Sequence, residues 1–135
     1  MGRVTLFKSV EFSSAHKLYN QHLNHELNLR LYGKCTVEHG HNYRLLVGIE
    51  GYVNPVTGMI INMTDFKSMI EEHIVKKLDH QNLSHVPELK ESITTLETLV
   101  IWIWNQLEGK IPQVTLKELI LYETERTFVS YRGEV

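Results

Sequence analysis

"HNYRLLVGIEGYV", His41 to Val53, decides how the rest of the chain is read. It is rich in β-branched and aromatic residues, and Asn54-Pro55-Val56-Thr57-Gly58 follows with turn chemistry, so an extended strand closed by a turn is expected. Upstream, RVTLFKSVEF (3–12) sets Val4, Leu6 and Val10 in a partly alternating pattern with Phe7 and Phe12, which predicts a first strand with Ser13-Ser14-Ala15-His16 at its end. The two strands are expected to pair antiparallel. Between them YNQHLNHELNLRLYGK (19–34) has neither strand nor helix period and reads as a polar excursion with a short helical turn.

Downstream, TDFKSMIEEHIVKKL (64–78) spaces Phe66, Met69, Ile70, Ile74 and Leu78 three or four apart, which predicts an amphipathic helix capped by Asn62 or Thr64. A polar linker, DHQNLSHVPELKES, leads to a second helix from about Thr95 to Leu107. Thr94 and Glu97 stand at capping-box spacing before it, and Gly109 just past its end. VTLKELILYETE and TFVSYRG then predict a second strand pair. The order β-β-α-α-β-β describes one α+β domain over residues 1–135, with two helices on one face of a four-stranded antiparallel sheet. Open sheet edges must be covered or paired, which points to an oligomer.

Composition narrows the function classes. A chain of 135 residues with 42% hydrophobic and 22% charged content suits a single globular domain, and a formal net charge of −2 gives no bulk signal for nucleic acid or anionic membrane. The longest apolar run, Leu99 to Trp104, is far short of the ~20 residues of a membrane helix. The start, MGRVTLFKSV, lacks a signal-peptide core, so a cytoplasmic protein is expected. A single cysteine, Cys35, forms no intrachain disulfide and fits a reducing compartment. Eight histidines are the one anomaly.

Three of those histidines form a pattern. On a strand, residues i and i+2 share a face roughly 6.6 Å apart, so His39 and His41 converge, with only Gly40 between them. His16, at the end of the first strand, is the expected third ligand. Three neutral imidazoles with an open position form a catalytic zinc arrangement; an exposed surface pair is the plainer reading of His-x-His. Cys35 leaves three readings open: a fourth ligand closing a structural site, a thiolate base or nucleophile beside the metal, or a small buried hydrophobe. Asp79-His80 reads either as a carboxylate orienting an imidazole for proton transfer or as an ordinary helix end. Glu123, within apolar ILYETE, would suit a ligand edge presenting N–H donors, or would simply face outward.

Beyond these residues, "FSSAHKL", "GKCTVEHGHNY", "VNPVTGMIINMTDFK", "LDHQNL", "TTLETL" and "LYETE" follow one another from residue 12 to 125. Together they resemble the 6-pyruvoyl-tetrahydropterin synthase / 6-carboxy-tetrahydropterin synthase family. The resemblance implies a tunnelling fold in which three subunits close a barrel and two trimers stack into a hexamer. It implies zinc on His16, His39 and His41, a proton-transfer group of Cys35, Asp79 and His80, and pterin binding by Glu123 with Thr95 beside it. The implied substrate is 7,8-dihydroneopterin triphosphate. The Cys-x-x-x-His-Gly-His spacing resembles the 6-carboxy branch, which releases acetaldehyde and feeds 7-deazapurines such as queuosine. The body of the chain looks like the pyruvoyl enzymes of tetrahydrobiopterin synthesis, and Glu38 before His39 departs from the pattern. A structural-zinc protein that binds a purine or pterin without turnover is the reading from another class.

Overall fold

In a computed structural model, residues 2–135 are described, and among them the sheet has five strands rather than four, ordered β3-β1-β2-β4-β5. The strands are β1 (Arg3–His16), β2 (His39–Tyr52), β3 (Gln81–Asn82), β4 (Thr115–Tyr122) and β5 (Phe128–Tyr131). Four are antiparallel neighbours, as expected. The addition, β3, lies parallel to the end of β1, pairing Gln81 with Ser14 and Asn82 with Ala15. Two residues within a polar linker carry no periodic signal, which is why the sequence does not disclose them.

β1 and β2 pair from Arg3 opposite Tyr52 to His16 opposite His39. Both strands are longer than expected, because β1 runs on through Ser13–His16 and β2 begins at His39. Alternation then does the sorting. Val10, Phe12, Ser14 and His16 of β1 and Tyr43, Leu45, Val47 and Ile49 of β2 turn inward. β4 adds Leu119 and Leu121, and a bulge at Gly48/Ile49 lets Lys117 slip out of register.

The helices that follow β2 cover that inward face. The excursion between β1 and β2 contains α1 (His25–Tyr32) and a 3-10 turn (Gly33–Thr36). α1 is organised by buried Asn28, whose amide donates to the carbonyls of Asn20, Leu23 and Asn24 while its oxygen accepts from the Asn20 N–H. The first expected long helix is α2 (Met63–Ile70), a π turn (Glu71–Val75) and α3 (Lys76–Leu78), capped by Asn62. The wider turn brings both Ile74 and Val75 inward beside Phe66, Ile70 and Leu78. α4 (Leu96–Leu107) buries Leu99, Val100, Ile103, Trp104 and Leu107. Its cap is Thr95, accepting from the Thr98 N–H, so the expected Thr94/Glu97 capping box does not form. Thr94 turns inward instead, and Glu97 is exposed.

Leu45 is fully buried at the centre of this stack. Leu45→Ala is expected to cost about 2–5 kcal/mol, the range for a large-to-small change in a close-packed core. Denaturant titration checks it through a lower midpoint at unchanged slope.

Candidate metal centre and active site

The register of β1 against β2 decides the site. His16 and His39 are cross-strand partners and His41 is two residues along β2, so the three rings meet with centroids 4.6, 5.0 and 5.3 Å apart. One ligand atom from each lies within 4.8 Å of the others. Cys35 is outside this set, so the arrangement is a three-histidine one and does not support a fourth, sulfur ligand.

Second partners orient two of the three rings. His16 Nδ1 lies 3.0 Å from the Thr94 carbonyl and donates to it, and His39 Nδ1 donates to the Val37 carbonyl at 2.7 Å. Each bond puts the proton on Nδ1 and leaves the Nε2 lone pair free, the usual way a protein orients a metal-binding imidazole. Burial, reinforced by nearby His39, pushes His16 down to about 4. Burial also lowers His41, against the opposing charge of Glu123. Neutral imidazoles are what a divalent cation requires. His16 Nε2 is fully buried and has no hydrogen-bond partner in the protein. A buried ring nitrogen aimed at two other imidazoles and left unsatisfied fits a metal ligand. Below the cluster, Tyr43 stacks on Phe12 and meets His41 edge-on, its phenol pushed upward by burial.

Asp79 and His80 turn toward this end of the sheet through β1. Asp79 Oδ1 accepts from the Ser13 N–H at 2.9 Å, the His80 N–H donates to the Ser13 carbonyl at 2.7 Å, and Ser14 Oγ donates to the Leu78 carbonyl at 2.6 Å. These bonds end the helix. His80 takes φ 58°, a left-handed conformation uncommon for a side-chain-bearing residue. Its Nδ1 is 2.9 Å from Asp79 Oδ2 and its ring stands open to solvent. Adjacent residues thus face each other because the chain turns between them. The Ser13 amide, with His80, holds the Asp79 carboxyl below the usual range.

Glu123 is the first residue past β4, and its Oε2 lies 3.8 Å from His41 Nε2. Two clefts share His41, Gly40, Asn42 and Ser13 as a wall: one of about 440 Å³ also lined by His80 and Asn82, the other of about 680 Å³ also lined by Arg44, Tyr122 and Glu123. Neither is lined by Cys35 or Thr95. Cys35 is half-buried in the 3-10 turn, where its carbonyl accepts from the Leu18 N–H at 2.8 Å, two residues past His16. The Thr95 hydroxyl is occupied as the α4 cap. Sequence reasoning missed Thr94 and Ser13, since each acts on a residue more than 60 positions away. His22, His25 and His85 are exposed and His73 is half-buried.

The family profile described as "6-pyruvoyl tetrahydropterin synthase" matches residues 5–134. The 6-pyruvoyl tetrahydrobiopterin synthase of Dictyostelium discoideum is 47% identical over 132 residues, covering 97% of each chain. The 6-carboxy-5,6,7,8-tetrahydropterin synthase of Haemophilus influenzae is 27% identical over 121 residues, covering 74% of this chain and 85% of that one. The solved 6-pyruvoyl tetrahydropterin synthase of Caenorhabditis elegans superposes with a TM-score of 0.92 at 29% identity, covering 99% of this chain and 98% of that one.

Asp79 has a depressed folded pKa, so its stabilising contribution is full above the unfolded value near 3.9 and is lost as the pH falls through the folded one. Asp79→Asn should therefore lower the urea midpoint at pH 7, and the gap to the parent should close below about pH 4. A gap that stays constant with pH would show that the carboxylate charge contributes nothing.

Proposed function

The chain belongs to the 6-pyruvoyl tetrahydropterin synthase family, and from that premise we propose that it is a zinc-dependent lyase eliminating triphosphate from 7,8-dihydroneopterin triphosphate to give 6-pyruvoyl-tetrahydropterin. The observation that carries this reading is the 47% identity, over nearly the whole of both chains, to a 6-pyruvoyl tetrahydrobiopterin synthase. A three-histidine cluster with an unsatisfied buried Nε2 supports the metal.

His16, His39 and His41 would hold the ion. When bound it supplies a Lewis acid that makes the C–H beside the substrate's side-chain hydroxyls easier to deprotonate. The protein's own residues do the rest. Glu123 offers two acceptor oxygens to the amino and ring N–H edge of the pterin, next to His41. Cys35 takes and returns protons as the thiolate. His80 is its partner: Asp79 on Nδ1 leaves Nε2 to exchange a proton on the open side of the ring. Thr95, which closes α4, contributes through that helix start. The working form we infer is a cytoplasmic oligomer in which neighbouring subunits complete the clefts; the short edge strands β3 and β5 leave main-chain groups for such pairing. No helix is long and apolar enough to cross a membrane.

The Cys-x-x-x-His-Gly-His spacing favours a second reading, the 6-carboxy reaction with loss of acetaldehyde. It rests on one local spacing. The likeness of the chain as a whole runs the other way, at 47% against 27% identity. We therefore prefer the pyruvoyl product.

Incubating the zinc-loaded protein with 7,8-dihydroneopterin triphosphate should release tripolyphosphate and a pyruvoyl tetrahydropterin. Acetaldehyde together with a carboxylated pterin would transfer the protein to the other branch. Cys35→Ala should keep its zinc and lose turnover by about 10²–10⁴-fold, the range for removing a general acid–base group. His39→Ala should fail to retain zinc; metal content by elemental analysis reads both.

A further inference from the structure

One hydroxyl in the core is left without a partner. Tyr43 is 1% exposed, and its phenol oxygen is fully buried with no hydrogen bond among the described residues. The ring is held on several sides: it stacks on Phe12 with centroids 5.0 Å apart and meets His41 and His16 edge-on at 5.6 and 6.3 Å. A buried hydroxyl left unpaired costs stability, and a phenylalanine would fill the same space without that cost. The hydroxyl therefore calls for an acceptor close to the histidine cluster.

Glu123 stands in the right place. Arg44 pairs with Tyr122 and Leu45 with Leu121, so the next residues along the two chains, Tyr43 and Glu123, are opposite each other where the β2–β4 ladder ends. Alternation turns both inward, and the 3.8 Å contact of Glu123 Oε2 with His41 Nε2 keeps the carboxylate on that side. Opposed residues of antiparallel strands have Cβ atoms about 4.5–5.5 Å apart. Burial first, and the charge of Glu123 second, push the phenol upward, which agrees with a carboxylate in its neighbourhood. The contact with His41 is too long for a hydrogen bond, and an Nε2 engaged by a metal has no proton to give. The Tyr43 O–H is then the unpartnered donor beside the carboxylate. An ionised carboxylate has about four acceptor sites, so a bond from Tyr43 leaves room for the N–H donors of a pterin edge.

We propose that Tyr43 is a positioning residue for Glu123: when the three histidines hold a metal, its hydroxyl donates to the carboxylate and fixes it in the orientation that grips the pterin's amino and ring N–H edge. Tyr43 stays a hydrogen-bond donor and moves no proton in the reaction. The grip on the pterin rests on the function proposed above; the Tyr43–Glu123 bond does not, and the experiment reads the two separately.

Neopterin is the probe, because it has the pterin edge and the side-chain hydroxyls but no triphosphate to lose. In the zinc-loaded protein Tyr43→Phe should keep its zinc and raise the Kd for neopterin roughly 10-fold, the effect of one hydrogen bond to a charged acceptor. Thermal unfolding reads the bond itself. Tyr43→Phe should lower the midpoint of the zinc-loaded protein by a few degrees. In the metal-free protein the same change should leave the midpoint level or raise it, since it removes an unpartnered hydroxyl and opens no cavity. In a Glu123→Ala background the zinc-loaded midpoint should no longer fall on Tyr43→Phe, because the acceptor is gone.

A midpoint that falls equally with and without zinc, or that still falls in the Glu123→Ala background, would overturn the bond. So would loss of zinc from Tyr43→Phe, because the hydroxyl would then support the metal ligands instead of Glu123. Unchanged neopterin affinity in Tyr43→Phe would overturn the positioning role. Should the parent itself fail to bind neopterin, the function proposed above fails and the thermal measurements still decide the Tyr43–Glu123 bond.

Discussion

The antiparallel register of β1 on β2 is the constraint from which the rest of the structure follows. It seats His16 opposite His39 and Phe12 opposite Tyr43. Side chains on a strand alternate faces, so a slip of one residue would turn the β2 histidines away from His16 and send Leu45, Val47 and Ile49 out to solvent. The histidine cluster and the hydrophobic core are thus two ends of one ladder. The core holds the register, and the register brings the imidazoles together.

That dependence explains the polarity of the site. Along the inward face, burial continues from Val10 and Phe12 through Ser14 to His16, so the cluster is the polar end of the core and not a surface feature. A buried imidazole needs partners for both nitrogens. For His16 one is supplied by the Thr94 carbonyl, at the entrance to α4, and the other faces the cluster. The helix start thereby serves two ends: the Thr95 hydroxyl accepts from the Thr98 N–H, and Thr94, one residue earlier, orients His16.

Much of this was legible in the sequence because it is periodic or local. HNYRLLVGIEGYV declared its strand, Phe66, Ile70, Ile74 and Leu78 declared a helix, and His-Gly-His declared two convergent imidazoles by strand alternation. What stayed hidden depends on contacts distant in sequence. The π turn differs from α-helix by one residue per turn, and Phe66, Ile70 and Ile74 have the same spacing in both. β3 forms where the Ser13 main chain binds Asp79, 66 positions away, and Ser14 and Ala15 pair with Gln81 and Asn82, a pairing that two polar residues do not announce. The Thr94/Glu97 spacing was a genuine local signal, overridden because His16 draws Thr94 inward and leaves Thr95 to cap the helix. At the product level, one motif's spacing and the likeness of the whole chain pointed to different branches, and the longer comparison carries more weight.

Ser13 uses its N–H on Asp79, its carbonyl on the His80 N–H and its hydroxyl on Asn42. One residue of β1 therefore clamps β2 on one side and the turn after α3 on the other. In the language of cooperative unfolding units, the imidazole of His80 cannot drift from the histidine cluster by fraying of its own short segment, because its release requires the end of β1 to open as well. The end of β1, which carries His16, and the turn that carries His80 are therefore tied into one opening unit although they lie far apart in the chain.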